Sequence, residues 1–308
     1  MSVNPAKQTE LETLLAISSG LNATQGNPRF KAIMHQLLGD LCLTIKKFDI
    51  TDEEFWLAVN YLNELGERKE AALLAAGLGL EHYLDMRADE KEAAAGNDVG
   101  TPRTIEGPLY VANAPLSEGY ARMDDGSEHA ETLWLHGTIT DLQGKPVADA
   151  IVDIWHANTL GGYSFFDASQ SEYNLRRRVQ TGPDGRYAVR SIVPCGYGCP
   201  PDGPTQKLLN GLGRHGNRPA HIHFFVSAPG FKHLTTQINL NGDQYLWDDF
   251  AFATREELIA DPIKITDSKL SQARDINGPH TEVSFNFALV ASDDSQQEER
   301  GKRARVKE

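Results

Sequence analysis

Two histidines, His221 and His223, flank Ile222 in a run of strand-forming residues. In an extended strand alternate side chains share one face, so an H-x-H pair points two imidazoles the same way, about 7 Å apart along the strand. That separation suits two ligands of one metal. The lead-in, GLGRHGNRPA (211–220), is polar and glycine-rich, the kind of irregular chain that precedes a site at a strand end. It holds Arg218 and a third histidine, His215, which reads as a surface residue. Two histidines do not complete a metal site. No H-E-x-x-H helix is present, which removes the zinc-protease arrangement. Carboxylates are plentiful, so a triad of two His and one Asp or Glu stays open. Tyrosines are a second source of donors. Tyr163 follows Gly161-Gly162, and Tyr197 lies between Gly196 and Gly198. A tyrosine hemmed by glycine has little crowding and can approach a metal closely. Taken one at a time, each tyrosine reads equally as a loop aromatic packed on a core. Cys195 and Cys199 lie four apart, but no second pair accompanies them, and they read as free thiols in a loop.

These residues need a frame. The first hundred residues carry helical patterns. Residues 28–47 place Phe30, Ile33, Leu37, Leu38, Leu41 and Ile45 on one apolar stripe. Thr51 to Glu54 spell a capping box ahead of Phe55, Trp56, Val59 and Leu62, with Gly66 as the stop. Residues 68–76 and 81–95 are rich in good helix formers. Around residue 96 the pattern changes. GNDVGTPRTIEGPLY cannot extend a helix, and beyond it come short alternating strands: LWLHGTIT, AIVDIWHA, PDGRYAVRSIV, HIHFFVSA, HLTTQINL and EVSFNFALV. The expected fold is mixed: an N-terminal α-helical domain (1–103), then an antiparallel β-sandwich catalytic domain (104–292). A charged tail (293–308) reads as solvated.

Composition narrows the function. The chain has 308 residues, 40% of them hydrophobic, with a formal charge of −13. An acidic surface repels phosphate backbones, which argues against a nucleic-acid partner. No apolar run is long enough for a membrane span, and the first ten residues lack the apolar core of a secretory signal. With three cysteines, an odd and low count, the sequence predicts a cytoplasmic protein.

The stretches TIEGPLY (104–110), DIWHANTLGGYS (153–164), YAVRSIVPCGYGCP (187–200), GNRPAHIHFFVSAPG (216–230) and TTQINL (235–240) together resemble the intradiol ring-cleavage dioxygenases, in their catechol-cleaving branch. Any one piece is unspecific; two tyrosines followed by R-P-A-H-I-H are highly specific. The resemblance covers the strand-rich region and extends into the helical leader. It implies one iron(III) per chain, held by Tyr163, Tyr197, His221 and His223. It further implies that catechol and O₂ are the substrates and cis,cis-muconate the product, in aromatic catabolism. In the family the position matching Tyr197 leaves the metal and accepts a substrate proton. Arg218 matches the active-site arginine that stabilises charge on the ring, and Gln237 matches a catalytic residue that helps with oxygen or peroxide handling; on its own Gln237 reads equally as a strand amide bonded to backbone. Leu73, Ile105, Gly107, Pro108, Leu109, Phe252 and Ala253 match the substrate pocket. The resemblance also implies a homodimer through the N-terminal helices, with a phospholipid in a channel at the interface. The charge chemistry agrees: two phenolates are hard anionic donors that suit a trivalent ion. Two other readings remain at this stage, a zinc hydrolase on His221 and His223 and a sandwich that only binds. Chlorinated catechols and hydroxyquinol are the alternative substrates.

Overall fold

A computed structural model describes residues 5–97 and 99–292. The tail expected at 293–308 lies outside the described residues. The chain divides into two compact units, one ending at Glu64 and the other starting at Leu65.

In the first unit, α1 (Pro5–Ser18) precedes α2 (Pro28–Phe48). The second helix starts where Asn27 accepts a hydrogen bond from Phe30 N, with Pro28 in the first turn, and it stops at Asp49 in the left-handed region. Helix α3 (Asp52–Glu67) opens on the expected capping box: Thr51 N donates to Glu54 Oε2 at 2.9 Å, and Glu54 N donates to Thr51 Oγ1 at 3.2 Å. The apolar stripe of α2 is solvent-facing in the single chain. Phe30, Ile33, Leu37, Leu41 and Ile45 are all exposed, and no residue of α2 is buried.

The second unit contains α4 (Ala71–Gly77) and α5 (Leu80–Ala94), which the sequence reading grouped with the leader, and the whole sandwich. One sheet is built from β1 (Leu116–Glu118), β4 (Ile151–His156), β5 (Arg176–Gln180), β9 (His221–Ser227), β10 (Leu234–Leu240) and β11 (Ile259–Ala260), in the order β1-β5-β4-β9-β10-β11. The other is built from β2 (Tyr120–Arg122), β3 (Thr132–Asp141), β6 (Arg186–Ile192), β12 (Ile263–Ile265) and β13 (His280–Ser284), in the order β12-β13-β3-β6-β2, with β14 (Phe287–Leu289) beside β3. A short ladder pairs β7 (Tyr197–Gly198) with β8 (Asn217–Arg218). Helices α6 (Pro204–Gly211) and α7 (Ser268–Ala273) lie in the connections.

The sandwich is as expected, but its sheets are mixed rather than antiparallel throughout. The central pairs β4–β5, β4–β9, β9–β10 and β3–β6 are antiparallel. Parallel pairs join β1 to β5, β2 to β6, β11 to β10, and both β13 and β14 to β3. Tight turns force antiparallel neighbours; these strands arrive by longer connections, which leaves their direction free.

The alternation of β9 explains what the sequence could not. Ile222, Phe224 and Val226 face the core between the sheets, with Val152, Ile154 and Ile238. His221 and His223 face the opposite side, and that side is covered too: residues 221–226 are all buried. The histidine strand is therefore central and buried on both faces.

Candidate metal centre and its pocket

The outer face of the first sheet carries a row set by register. Trp155 on β4 stands opposite His223 on β9, which stands opposite Gln237 on β10; two pairs along, on the same face, His221 stands opposite Asn239. Directly opposed residues share a face, so pairing alone gathers Trp155, His221, His223, Gln237 and Asn239. The indole of Trp155 lies parallel to the His223 imidazole, with centroids 5.0 Å apart and planes 4° apart. On another side of that imidazole, Gly107 adopts φ +72°, and a Cβ there would touch the ring at 3.5 Å.

The tyrosines arrive on irregular chain. Tyr163 follows the 158–162 turn, where Gly162 N and Leu160 N both donate to Asn158 Oδ1. Tyr197 starts the two-residue β7, paired with Arg218. Gly161 is required here: its φ is +81°, and a Cβ would fall 2.5 Å from Tyr197 Cβ.

Four donor atoms converge. Tyr163 Oη is 3.3 Å from Tyr197 Oη, Tyr197 Oη is 3.3 Å from His221 Nε2, and His221 Nε2 is 3.1 Å from His223 Nε2. Donors about 2.0–2.1 Å from one ion stand about 3 Å from one another, so the spacing is that of a ligand shell. The tautomer of His221 fits as well. Its Nδ1 donates to Pro219 O at 2.6 Å, leaving the Nε2 lone pair toward the cluster. Among the described residues the buried His223 Nδ1 has no hydrogen-bond partner, and the ring is held by its stacking on Trp155. Burial, and after it the charge of Arg218, lowers the His221 pKa to about 3. Burial and the neighbouring His221 hold His223 well below the ordinary imidazole range. Both rings are thus neutral, as ligands must be. Burial, with Tyr197 adding to it, drives the Tyr163 phenol well above 10. Only a strongly positive ion on its oxygen would ionise it. Among the described residues no group of three or more His, Cys, Asp and Glu could hold a metal. The two-histidine, one-carboxylate alternative has no carboxylate to complete it there.

Arg218 lies against this cluster, 4% exposed. Its Nη1 donates to His221 Nε2 at 2.9 Å and its Nη2 to Gln237 Oε1 at 2.9 Å. Asp249 accepts from Nε and Nη2, each at 3.1 Å. Burial opposes the charge of Arg218, but Asp249 outweighs it and raises its pKa; burial likewise opposes the charge of Asp249, and Arg218 keeps its carboxyl below the usual range. Gln237 is bonded to side chains, not backbone: its Nε2 donates to Asn239 Oδ1 at 2.6 Å.

An apolar wall adjoins. Ile105, Ala253, Ala76, Cys199, Leu209 and Phe250 form one buried cluster, with Leu73 packed on it. Leu109 packs with Tyr110, Trp155 and Tyr163 in a second cluster, which Tyr197 also joins. Pro108 is exposed, and the half-exposed ring of Phe252 stacks near His82 with the Arg214 guanidinium 4.8 Å above it. His215 is half-buried and paired with Asp248 at 2.9 Å. Cys195 and Cys199 are free thiols, with Cys199 buried and its pKa raised by that burial to about 12.

Sequence reasoning missed Asp249 and Trp155. A buried arginine demands an anion, and that demand is the one signal that could have pointed to Asp249. Trp155 stood two residues after the start of the DIWHANTLGGYS stretch, in the strand opposite H-x-H.

Comparison with known proteins agrees with this geometry. Residues 105–291 match the family model described as "Dioxygenase", and residues 27–96 match "Catechol dioxygenase N terminus". A catechol 1,2-dioxygenase of Acinetobacter baylyi is 55% identical over 94% of each chain. One from a Pseudomonas species is 52% identical over 94% of this chain and 96% of its own. The solved structure of a catechol 1,2-dioxygenase from an Acinetobacter species, inhibited by bound mercury, superposes with a TM-score of 0.94 at 54% identity, covering 96% of this chain and 97% of that one.

Proposed function

The chain belongs to the intradiol ring-cleavage dioxygenases, and we propose that it opens the ring of catechol between its two hydroxylated carbons with O₂, giving cis,cis-muconate. The observation that carries the reading is the cluster of two phenol oxygens and two neutral imidazole nitrogens at 3.1–3.3 Å spacing. Tyr163, Tyr197, His221 and His223 would hold one iron(III) per chain; the two phenolates offset two of its positive charges, which favours the ferric state. Bound there, iron would supply a Lewis acid and a template for the substrate.

The protein's own residues do the rest. Tyr197 is the better placed of the two tyrosines to move: it is half-buried on a two-residue strand, whereas Tyr163 is 3% exposed. Its phenolate oxygen accepts a proton from an incoming catechol hydroxyl, a general-base role. Arg218 is a fixed cation beside His221, held by Asp249 and Gln237, and it stabilises negative charge as it develops on the ring carbon. Leu73, Ile105, Leu109 and Ala253 present apolar surface to a flat ring and exclude water; Gly107 lets the chain pass close to His223. Pro108 and Phe252 would sit at the outer rim, since both are exposed.

The exposed stripe of α2 supports a homodimer formed through the N-terminal helices, with a phospholipid in the interface. Among the described residues no helix is long and apolar enough to cross a membrane, and we place the enzyme in the cytoplasm. Light scattering on Leu37→Glu and Leu41→Glu should shift the mass from dimer to monomer; a wild-type monomer would remove the dimer. Lipid extraction with mass analysis should find acyl chains, and their absence would remove the phospholipid.

Incubation with catechol, chlorocatechols and hydroxyquinol under O₂ tests the reaction. The expected result is muconate formation fastest from catechol. A faster reaction with hydroxyquinol would change the substrate, and no ring opening at all would end the proposal.

A further inference from the structure

Arg176, at the start of β5, is 1% exposed, and a buried guanidinium needs an anion to offset its charge. Arg218 has Asp249. Among the described residues Arg176 has no carboxylate partner: its Nε donates to Ser164 Oγ at 2.8 Å, its Nη2 donates to Ser164 O at 3.0 Å, and its Nη1 has none. Ser164 is itself tied down, its Oγ donating to Asn174 O at 2.8 Å. The guanidinium carbon stands 5.7 Å from the centroid of the Tyr163 ring. Arg176 therefore grips the residue that follows Tyr163 and also lies over Tyr163 itself. A cation over an aromatic face is attracted to it, and more strongly when the ring carries an anionic oxygen. Burial works against the charge of Arg176 and brings its pKa to about 10, and Tyr163 leads the groups whose negative charge would favour it, ahead of Asp153. No guanidinium is stacked on the Tyr197 ring among the described residues.

We propose that Arg176 is a positioning residue for Tyr163, fixing it through Ser164 and supplying the positive charge that offsets its anionic oxygen when it ligates the metal. The inference rests on Tyr163 being a ligand, and it assigns Arg176 to Tyr163 alone, whereas Arg218, paired in register with Tyr197, acts on both tyrosines.

The test uses the iron-loaded full chain as wild type, Arg176→Gln, Arg176→Lys and Ser164→Ala. It reads the visible tyrosinate-to-iron band, and the rate at which a chelator removes iron. A wild type without that band defeats the ligand reading itself, before Arg176 is at issue. With the band present, Arg176→Gln should move it to longer wavelength, because an unscreened phenolate is easier to oxidise. It should also release iron about tenfold faster, the scale on which groups behind a ligand act. Arg176→Lys keeps the charge and should keep the band near the wild-type position. Ser164→Ala should shift it the same way as Arg176→Gln, but less. A wild-type band in both Arg176→Gln and Ser164→Ala overturns the proposal. So does an equal shift in Arg176→Lys and Arg176→Gln, which would leave only a hydrogen-bonding anchor. If circular dichroism shows Arg176→Gln unfolded, Ser164→Ala decides: an unshifted band and an unchanged rate of iron release reject the fixing of Tyr163 through Ser164 and overturn the proposal.

Discussion

The two halves of the site are built from different kinds of chain. His221 and His223 stand on a central strand with neighbours on both sides and buried residues on both faces. Tyr163 and Tyr197 come from a turn and a two-residue strand. The histidine half is positioned by sheet register, which cannot yield without flipping side chains to the other face. In the tyrosine half Tyr163 is buried beneath Arg176, whereas Tyr197, half-buried on its two-residue strand, is held by local contacts that can be exchanged at low cost. A site that must hold a metal and also open a ligand position for substrate needs one half of each kind.

The sharpest way to break this comparison is to remove one donor from each half. His223→Ala should lose iron and activity together, with kcat/KM falling by about 10³-fold or more, as removal of several kcal/mol of metal-based stabilisation implies. Tyr197→Phe should keep its iron while kcat falls by about 10²–10⁴-fold, the range for a lost general base. Iron analysis beside the kinetics decides, and equal iron loss in the two variants would erase the distinction. Next in size is the support of the rigid half. Asp249→Asn leaves Arg218 buried without its counter-charge, and denaturant unfolding should show a loss of about 3–5 kcal/mol. An unchanged midpoint would mean that the Arg218–Asp249 pair does not support the histidine half.

His156 sharpens the contrast from within the sheet. Both its nitrogens are engaged, Nδ1 with Ala157 O and Nε2 with Ser191 Oγ, each at 2.7 Å, whereas His221 turns one nitrogen to the cluster. Burial lowers the pKa of His156 to about 4. Its unfolded form binds a proton below about 6.5, so stability is fully present above that pH and is lost as pH falls toward 4, by about 3 kcal/mol. Unfolding curves of wild type and His156→Gln between these pH values should converge as pH falls; a constant gap would contradict the assignment. The smallest effect is expected in the tyrosine half. Gly161→Ala places a Cβ against Tyr197 at a positive φ, and should cost about 1–2 kcal/mol in stability and reduce kcat more than it raises KM. A rise in KM alone would show that Gly161 shapes the pocket and not Tyr197.

The histidine half was legible because it obeys a period. H-x-H on an alternating strand says that two imidazoles share a face, and the structure adds only that the face is covered. The helices at 28–48 and 52–67 were legible for the same reason, through stripe and capping box. Tyr163 and Tyr197 have no period, and family resemblance alone singled them out. The parallel edges of the sheets were hidden because alternation fixes which face a side chain takes, not which way its neighbour runs. Asp249 and Trp155 were hidden because each acts through a partner distant in sequence, Arg218 in one case and His223 in the other.

The measurement that bears most directly on the tyrosine half, and so on the whole site, is the visible spectrum of the iron-loaded protein. Phenolate bound to iron(III) absorbs visible light, so the account predicts a red-brown protein whose band weakens in Tyr163→Phe and in Tyr197→Phe. A colourless protein carrying one iron per chain would contradict it.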